Sequence, residues 1–158
     1  VVGTNAKASM CYSLKSILNK AGHKTNLYTS PHLLSYTERY IFDDKEINEE
    51  DLIKLLTDIE KKLGNDNATL FEILSCAFFK HAEEYKDNIN IIEAGLFHQF
   101  DSTNVFKENL MTLIGVIHND HFQWLENKSI DGVIHEKTAK LLNSNIFINK
   151  QVLSLIHI

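Results

Sequence analysis

The chain has 158 residues, 44% of them hydrophobic and 23% charged, with 16 Lys and Arg against 21 Asp and Glu and a formal net charge of -5. This composition excludes collagenous, mucin-like and disordered chains, and one domain of this length buries roughly 70% of the surface that its unfolded chain exposes. The acidic excess argues against a nucleic-acid or anionic-membrane surface, so any bound anion must be held by a local basic pocket.

Val1 and Val2 read as the last residues of a buried strand, which leads us to expect a chain truncated at its start. Ala8, Cys11, Leu14, Ile17, Leu18 and Ala21 follow at three- and four-residue steps, predicting a helix over 7–21 that stops at Gly22. Thr25 to Tyr28 is a short strand, and Thr29 to His32 must be a loop because Pro31 drives the residue before it out of helical geometry. A further extended stretch is expected from Tyr36 to Phe42. Asn48 is a suitable N-cap for a second helix, with Glu49, Glu50 and Asp51 in its positive first turn and Leu52, Leu55, Leu56, Ile59 and Leu63 on one stripe. Thr69 with Glu72 predicts the start of a third helix, which carries Phe71, Leu74, Phe78 and Ala82 inward and ends near Tyr85. Ile89 to Glu93 and Leu110 to Ile117 are apolar runs of strand length, a last helix spans about Ile130 to Leu142, and a strand covers Ile146 to Ile148. The apolar run Val152 to Ile158 stops without a cap or polar tail, so truncation is expected at this end too. No stretch approaches the ~20 apolar residues of a membrane span. Cys11 and Cys76 lie far apart in no metal-like spacing, which suits the reducing cytoplasm.

This alternation predicts an α/β protein with a three-layer, mainly parallel sheet. Ligands of such sheets sit outside the carboxyl ends of the strands, which directs attention to Gly3–Ser9, Ser30–His32, Glu93–Asn104 and His118–His121. The first segment joins a strand end to a helix N-terminus, where backbone N–H groups can cradle phosphate and Lys7 adds a point charge. Taken alone it is about equally a capped helix start with an exposed lysine. A phosphate loop (P-loop) normally has glycine before its lysine, and Ala6 in that place costs about 1 kcal/mol if the left-handed geometry is kept. Ser30-Pro31-His32 and Arg39, in isolation, read most simply as a loop. Glu93 closes a strand beside the phosphate-loop candidate, a position that suits Mg²⁺. His118 and His121 sit three apart, but no cysteine or third nearby histidine completes a zinc set.

Together the clusters are more specific. Val2-Gly3-Thr4-Asn5-Ala6-Lys7-Ala8-Ser9 resembles a GTNGKGS phosphate loop. Leu27-Tyr28-Thr29-Ser30-Pro31-His32-Leu33 followed by Glu38-Arg39-Tyr40 resembles LYTSPHL and NERI. Glu93-Ala94-Gly95-Leu96 with Asp101-Ser102-Thr103-Asn104-Val105 resembles EVGLGGRLDATNV, and Asp120-His121, Trp124-Leu125 and Glu136-Lys137 resemble LDHxxWLG and REKAGI in the same order. These are segments of the bacterial dihydrofolate synthase/folylpolyglutamate synthase family of the Mur-ligase superfamily, and the resemblance runs from Val1 to about Ile148.

The resemblance implies a partial ATP-binding domain over residues 1–158, of the Mur-ligase central type, with the C-terminal glutamate-ligase domain absent from this chain. It implies ATP and Mg²⁺ as cofactors, and dihydropteroate, folates and L-glutamate as small-molecule partners of a cytoplasmic monomer that uses neither nucleic acid nor membrane. By the same carry-over Gly3, Thr4, Asn5, Ala6, Lys7, Ala8, Ser9 and Met10 would bind ATP. Ser30, Glu93 and His121 would serve Mg²⁺, and Lys7, Glu93, His121 and Lys137 would be the catalytic set, with Lys137 as a lysine that becomes carbamylated. Pro31, His32, Arg39, Thr69, Phe71, Asp101 and Ser102 resemble the folate side, although Phe71 reads equally well as a core residue. Ala6 and Ala8 replace both loop glycines, Ala94 a valine, Phe97-His98-Gln99-Phe100 the GGRL segment and Glu126 a glycine, while Lys7, Glu93 and His121 are kept. The rival readings are a cell-wall Mur ligase, against which the Tyr28–Leu33 segment speaks, and a nucleotide-binding paralogue without chemistry. The fragment by itself is expected to be inactive.

Overall fold

A computed structural model describes residues 1–126, 128–141 and 145–151. The expected helix end at Leu142 and the run Val152–Ile158 lie outside them. The chain divides into two compact units: Cys11–Ile92, here the middle unit, and Val1–Met10 with the chain from Glu93 on, here the N–C unit.

In the middle unit four strands, β1 (Thr25–Tyr28), β2 (Tyr40–Phe42), β3 (Lys45–Glu46) and β4 (Ile89–Ile92), form a sheet of order β3-β2-β1-β4. β1 and β4 run parallel with Leu27 opposite Ile91, and the β2 and β3 pairings are antiparallel. All four residues of β1 are buried, so both faces of this strand are covered. Tyr28 joins Tyr40, Phe42, Leu74 and Phe78 in the core under α2 (Glu49–Leu63) and α3 (Leu70–Ala82). Thr25, which alternation turns to the other face, donates its hydroxyl to Asn19 of α1 (Lys7–Lys20) at 2.7 Å. Helix, sheet and helix thus make three layers in this unit. α1 stops at Gly22 (φ 89°), where the N–H groups of Gly22 and His23 turn back onto Asn19 and Leu18 carbonyls.

The helix starts form as expected. The Asn48 side chain accepts from the Asp51 N–H at 2.8 Å, and Thr69 and Glu72 form a reciprocal capping box. α3 ends at Ala82, a few residues earlier than expected. The expected extended stretch Tyr36–Phe42 is strand only in its second half. Tyr36–Arg39 is a turn of 3-10 helix, because Ser35 and Glu38 close a capping box of their own. β3 was not anticipated: Asp43 and Asp44 both take positive φ, as a two-residue hairpin turn requires.

In the N–C unit β5 (Met111–Ile114) pairs in parallel with β6 (Asn145–Ile148), and Val2 bridges Ile114 in parallel. Ile114, Ile117, Leu125, Val133 and Leu141 form its buried core, with α4 (Ile130–Thr138) supplying Val133. α4 ends earlier than its apolar pattern suggests, since Ala139 is extended and Lys140 takes φ 60°. The predicted α/β class holds: the parallel pairings link β1 with β4, β5 with β6 and Val2 with Ile114, and the antiparallel ones are confined to β2 and β3.

Candidate functional site

The N–C unit builds its loop by extending the parallel pairing past β5. Val2 donates to Leu113 O and accepts from Gly115 N, and Thr4 N donates to Val116 O at 3.0 Å. The Thr4 hydroxyl bridges the His118 backbone, accepting from its N–H at 3.1 Å. Gly3 (φ 154°) lies so close to β5 that a Cβ there would meet Gly115 Cα at 3.2 Å. A Cβ on Gly115 would in turn meet Met10 Sδ at 3.1 Å. Gly3 therefore lets backbone pack on backbone and Gly115 makes room for the Met10 side chain and the Asn5 carbonyl, close approaches that no spacing in the sequence marks. Gln151 completes the assembly: its amide accepts from Ile117 N at 2.9 Å and donates to Gly115 O at 3.0 Å, as a strand backbone would.

Ala6 adopts φ 62°, the left-handed geometry in which its Cβ is strained, and its carbonyl takes the first helical bond from Met10 N at 2.9 Å. It therefore caps α1, and the helix opens with Lys7, Ala8 and Ser9, whose backbone N–H groups have no partner within the helix by geometry. Asn5, Ala6 and Ser9 are exposed. This is the shape of an anion cradle, with Lys7 at its rim, its ammonium 3.5 Å from Thr4 O.

Lys137 comes to this loop from α4. It is only 1% exposed, and its Nζ donates to Leu96 O at 2.5 Å and Gly3 O at 3.3 Å, with the Phe97 ring centroid 5.4 Å away. Burial first, and the nearby Lys7 charge second, push its ammonium down to about 8, against the opposing pull of Asp120 and Asp101. At neutral pH such an amine is uncharged in about a tenth of the molecules, far more often than an ordinary lysine, and so is the more available nucleophile. Spacing along the sequence gives no sign of this burial; position 137 looks like an ordinary cation in a last helical turn.

Glu93 is a buried carboxylate, 3% exposed, directly after β4, and Ala94 N beside it donates to Val1 O at 2.9 Å. His121 takes φ 54°, its Nε2 lies 3.1 Å from Asp120 Oδ2, and its ring meets Phe97 edge-on at 6.2 Å. Asp101 closes the loop it stands in, accepting from Gly95 N at 2.8 Å and Thr103 N at 2.9 Å, with Ser102 half-buried beside it. Among the described residues no three His, Cys, Asp or Glu side chains gather into a metal cluster. The donor set fits a hard cation that takes one protein carboxylate and completes its shell with phosphate and water, the usual manner of Mg²⁺.

The remaining candidates belong to the middle unit. Ser30 and the exposed Pro31 follow β1. Arg39 Nε donates to His32 Nδ1 at 2.9 Å, and both side chains lie against the Tyr36 ring. Glu38 accepts the N–H groups of Leu33, Leu34 and Ser35, which hold its carboxyl below the usual range and fix the loop in front of His32. Thr69 caps α3, and Phe71 packs partly buried against the aromatic core, 6.3 Å from the Tyr28 ring.

No family model matches the sequence. Over 146 residues the chain is 35% identical to a Bacillus subtilis protein named dihydrofolate synthase/folylpolyglutamate synthase, a span that covers 88% of this chain and 34% of that protein. The chain is homologous to part of these synthases. Its fold matches Escherichia coli FolC in complex with DHPP and ADP with a TM-score of 0.80 at 31% identity, covering 87% of this chain and 33% of that one. It also matches a Yersinia pestis bifunctional folylpolyglutamate synthase/dihydrofolate synthase complexed with AMPPNP and Mn ion, TM-score 0.82 at 28% identity, covering 95% and 37%. The resemblance first seen in the loop segments therefore extends to the fold. The chain spans about a third of the length of the synthases it matches.

Proposed function

We propose that this chain is the ATP-binding part of a ligase that joins L-glutamate to dihydropteroate or to folates through an acyl phosphate, with the glutamate-ligase domain supplied by sequence outside it. The observation that supports the reading is the buried Lys137 amine 3.3 Å from the carbonyl of Gly3, at the start of the segment that turns through Ala6 (φ 62°) into α1. The names of its relatives support the same chemistry.

In this proposal the Gly3–Met10 segment binds the ATP phosphates through first-turn N–H groups, and Lys7 balances charge on the phosphoryl group as it moves. The acceptor carboxylate attacks that group, giving an acyl phosphate and ADP; the glutamate amine then displaces phosphate and forms the amide. Ser30, Glu93 and His121 would hold Mg²⁺, which supplies charge neutralisation at the phosphates when bound. Lys137, an amine that gives up its proton more readily than an ordinary lysine, suits the carbamylation that the resemblance implies: its uncharged nitrogen bonds to CO₂, releases a proton and becomes an anionic partner for a cation. His32 and Arg39, with Pro31, Thr69, Phe71, Asp101 and Ser102, would form the folate side, where an aromatic and hydrogen-bonding groups suit a pterin. We place the protein in the cytoplasm as a monomer acting on small molecules, with neither nucleic acid nor membrane as partner; none of the described helices is long and apolar enough to cross a membrane.

The test is phosphate release from the longest reading frame that contains this chain, given Mg-ATP, glutamate and either dihydropteroate or tetrahydrofolate. Release that requires both acceptor and glutamate and is lost in Lys7→Ala is the expected result, and the preferred acceptor identifies the activity. Folded protein that binds ATP yet releases nothing with either acceptor would replace this reading with the inactive nucleotide-binding one.

A further inference from the structure

The segment Phe97-His98-Gln99-Phe100 departs from the GGRL pattern of the resemblance at every position, yet it is hydrogen-bonded to the C-terminal end of α4. A helix C-terminus leaves carbonyls without intrahelical partners. Here the 95–104 loop supplies them: His98 N and Gln99 N both donate to Glu136 O, at 3.0 and 3.1 Å. The His98 ring enters the same end, with Nδ1 2.9 Å from Ala139 O, and the residue is 5% exposed. Since a carbonyl can only accept, Nδ1 carries the proton. Burial holds the imidazole below its usual pKa and keeps it neutral, which suits a single-donor contact. Asn104 secures the other side by donating to His98 O at 3.0 Å.

The residues on either side of this anchor face Lys137. Leu96 contributes the 2.5 Å carbonyl contact to Nζ, and Phe97 contributes the ring that lies 5.4 Å from Nζ and 6.2 Å from His121. The loop therefore reaches the amine beside the point where His98, together with the Gln99 N–H, ties it to the end of the helix that carries Lys137.

We propose that His98 is a positioning residue for Lys137: by locking the 95–104 loop onto the C-terminal end of α4, it sets the carbonyl and the ring that hold this amine at the Gly3 loop. The proposal rests on Lys137 being a site residue, and it assigns to the divergent segment a role in holding that site.

The experiment is pulse acetylation of the whole chain with acetic anhydride, quantified lysine by lysine by mass spectrometry, with exposed Lys20 as the internal reference. In the wild type Lys137 should react much more slowly than Lys20. In His98→Ala its relative rate should rise about tenfold, the size expected for loss of a buried hydrogen bond, with Lys20 unchanged. His98→Asn, whose amide can donate to the same carbonyl, should restore most of the protection. Asn104→Ala, which frees the loop without emptying the buried ring site, should give a smaller rise at Lys137 alone. No rise at Lys137 in either alanine variant overturns the proposal, and so does an equal rise at all lysines, which would report general loosening. Because the labelling needs no nucleotide or acceptor, its failure is distinguishable from failure of the ligase reading: an active ligase with an unresponsive Lys137 loses only the role of His98, and an inactive one with site-selective labelling loses only the ligase.

Discussion

The two units bury different kinds of groups. The middle unit closes on aromatic and aliphatic side chains, with Tyr28 tilted against Tyr40 and Phe78 and Phe42 lying against Phe78 and Tyr85, and the polar residues it buries, Thr25, Asn26, Thr29, Thr37 and Ser75, are all uncharged. The N–C unit also has an apolar core, but beside it lie Glu93, His98, Thr112 and Lys137, all buried. Buried polar groups cost stability unless partnered, and two of these are held by backbone carbonyls outside the sheet: Lys137 by Leu96 O and Gly3 O, His98 by Ala139 O. The difference separates the work of the two units. Apolar burial in the middle unit carries stability, and in the proposed function the desolvated titratable groups of the N–C unit would carry the chemistry.

Three substitutions test this division. The largest effect is expected from Phe78→Ala, which empties a fully buried ring site in the middle unit and should destabilise by about 3–5 kcal/mol in urea unfolding. If the division is right, the folded fraction should keep nucleotide affinity, measured by calorimetry; a parallel loss of affinity would show that the units do not separate stability from binding.

The second effect is nearly as large and depends on pH. Lys137 titrates at about 8 when folded and near the ordinary lysine value of 10.5 when unfolded, so below pH 8 the folded chain carries the full cost of a buried ammonium. Between those values the folded chain has released the proton while the unfolded chain retains it, so stability rises with pH; above both, the cost is gone. In CO₂-free buffer the unfolding free energy of wild type minus that of Lys137→Met should therefore climb by about 3 kcal/mol from pH 8 to 10.5. A flat difference would mean that the amine is solvated and that the N–C unit does not bury its chemistry.

The smallest effect sharpens the comparison at the junction where α1 leaves the N–C unit. Ala6→Gly should raise stability by about 1 kcal/mol, because only the alanine Cβ is strained at φ 62°. Thermal unfolding reads the gain, and a loss instead would show that the unfolded-chain entropy of glycine outweighs the relieved strain.

Much of the middle unit was legible because its signals are local. Asn48, Thr69 and Gly22 act within one turn of the helix ends they mark, and the apolar stripe of α2 repeats at helical spacing. The local errors have local causes: the Ser35–Glu38 capping box competes with an extended reading of Tyr36–Arg39, and Asp43-Asp44 is a less recognisable hairpin turn than one containing glycine. In the N–C unit the motifs marked Gly3–Ser9, Glu93, Asp101 and His121, and the strained geometry at Ala6 followed from its place before the lysine.

Sequence by itself thus determined the main helices, the α/β class and the positive φ at Ala6 that opens α1, since each depends on side chains a few residues apart. Only the tertiary structure decided that Lys137 is desolvated at Gly3, that Gly115 must yield its Cβ space to Met10 and that the Gln151 amide stands in for strand backbone. Those contacts join residues separated by tens to more than a hundred positions. Burial and hydrogen bonding at such separations are properties of the folded chain, and no periodicity or spacing encodes them.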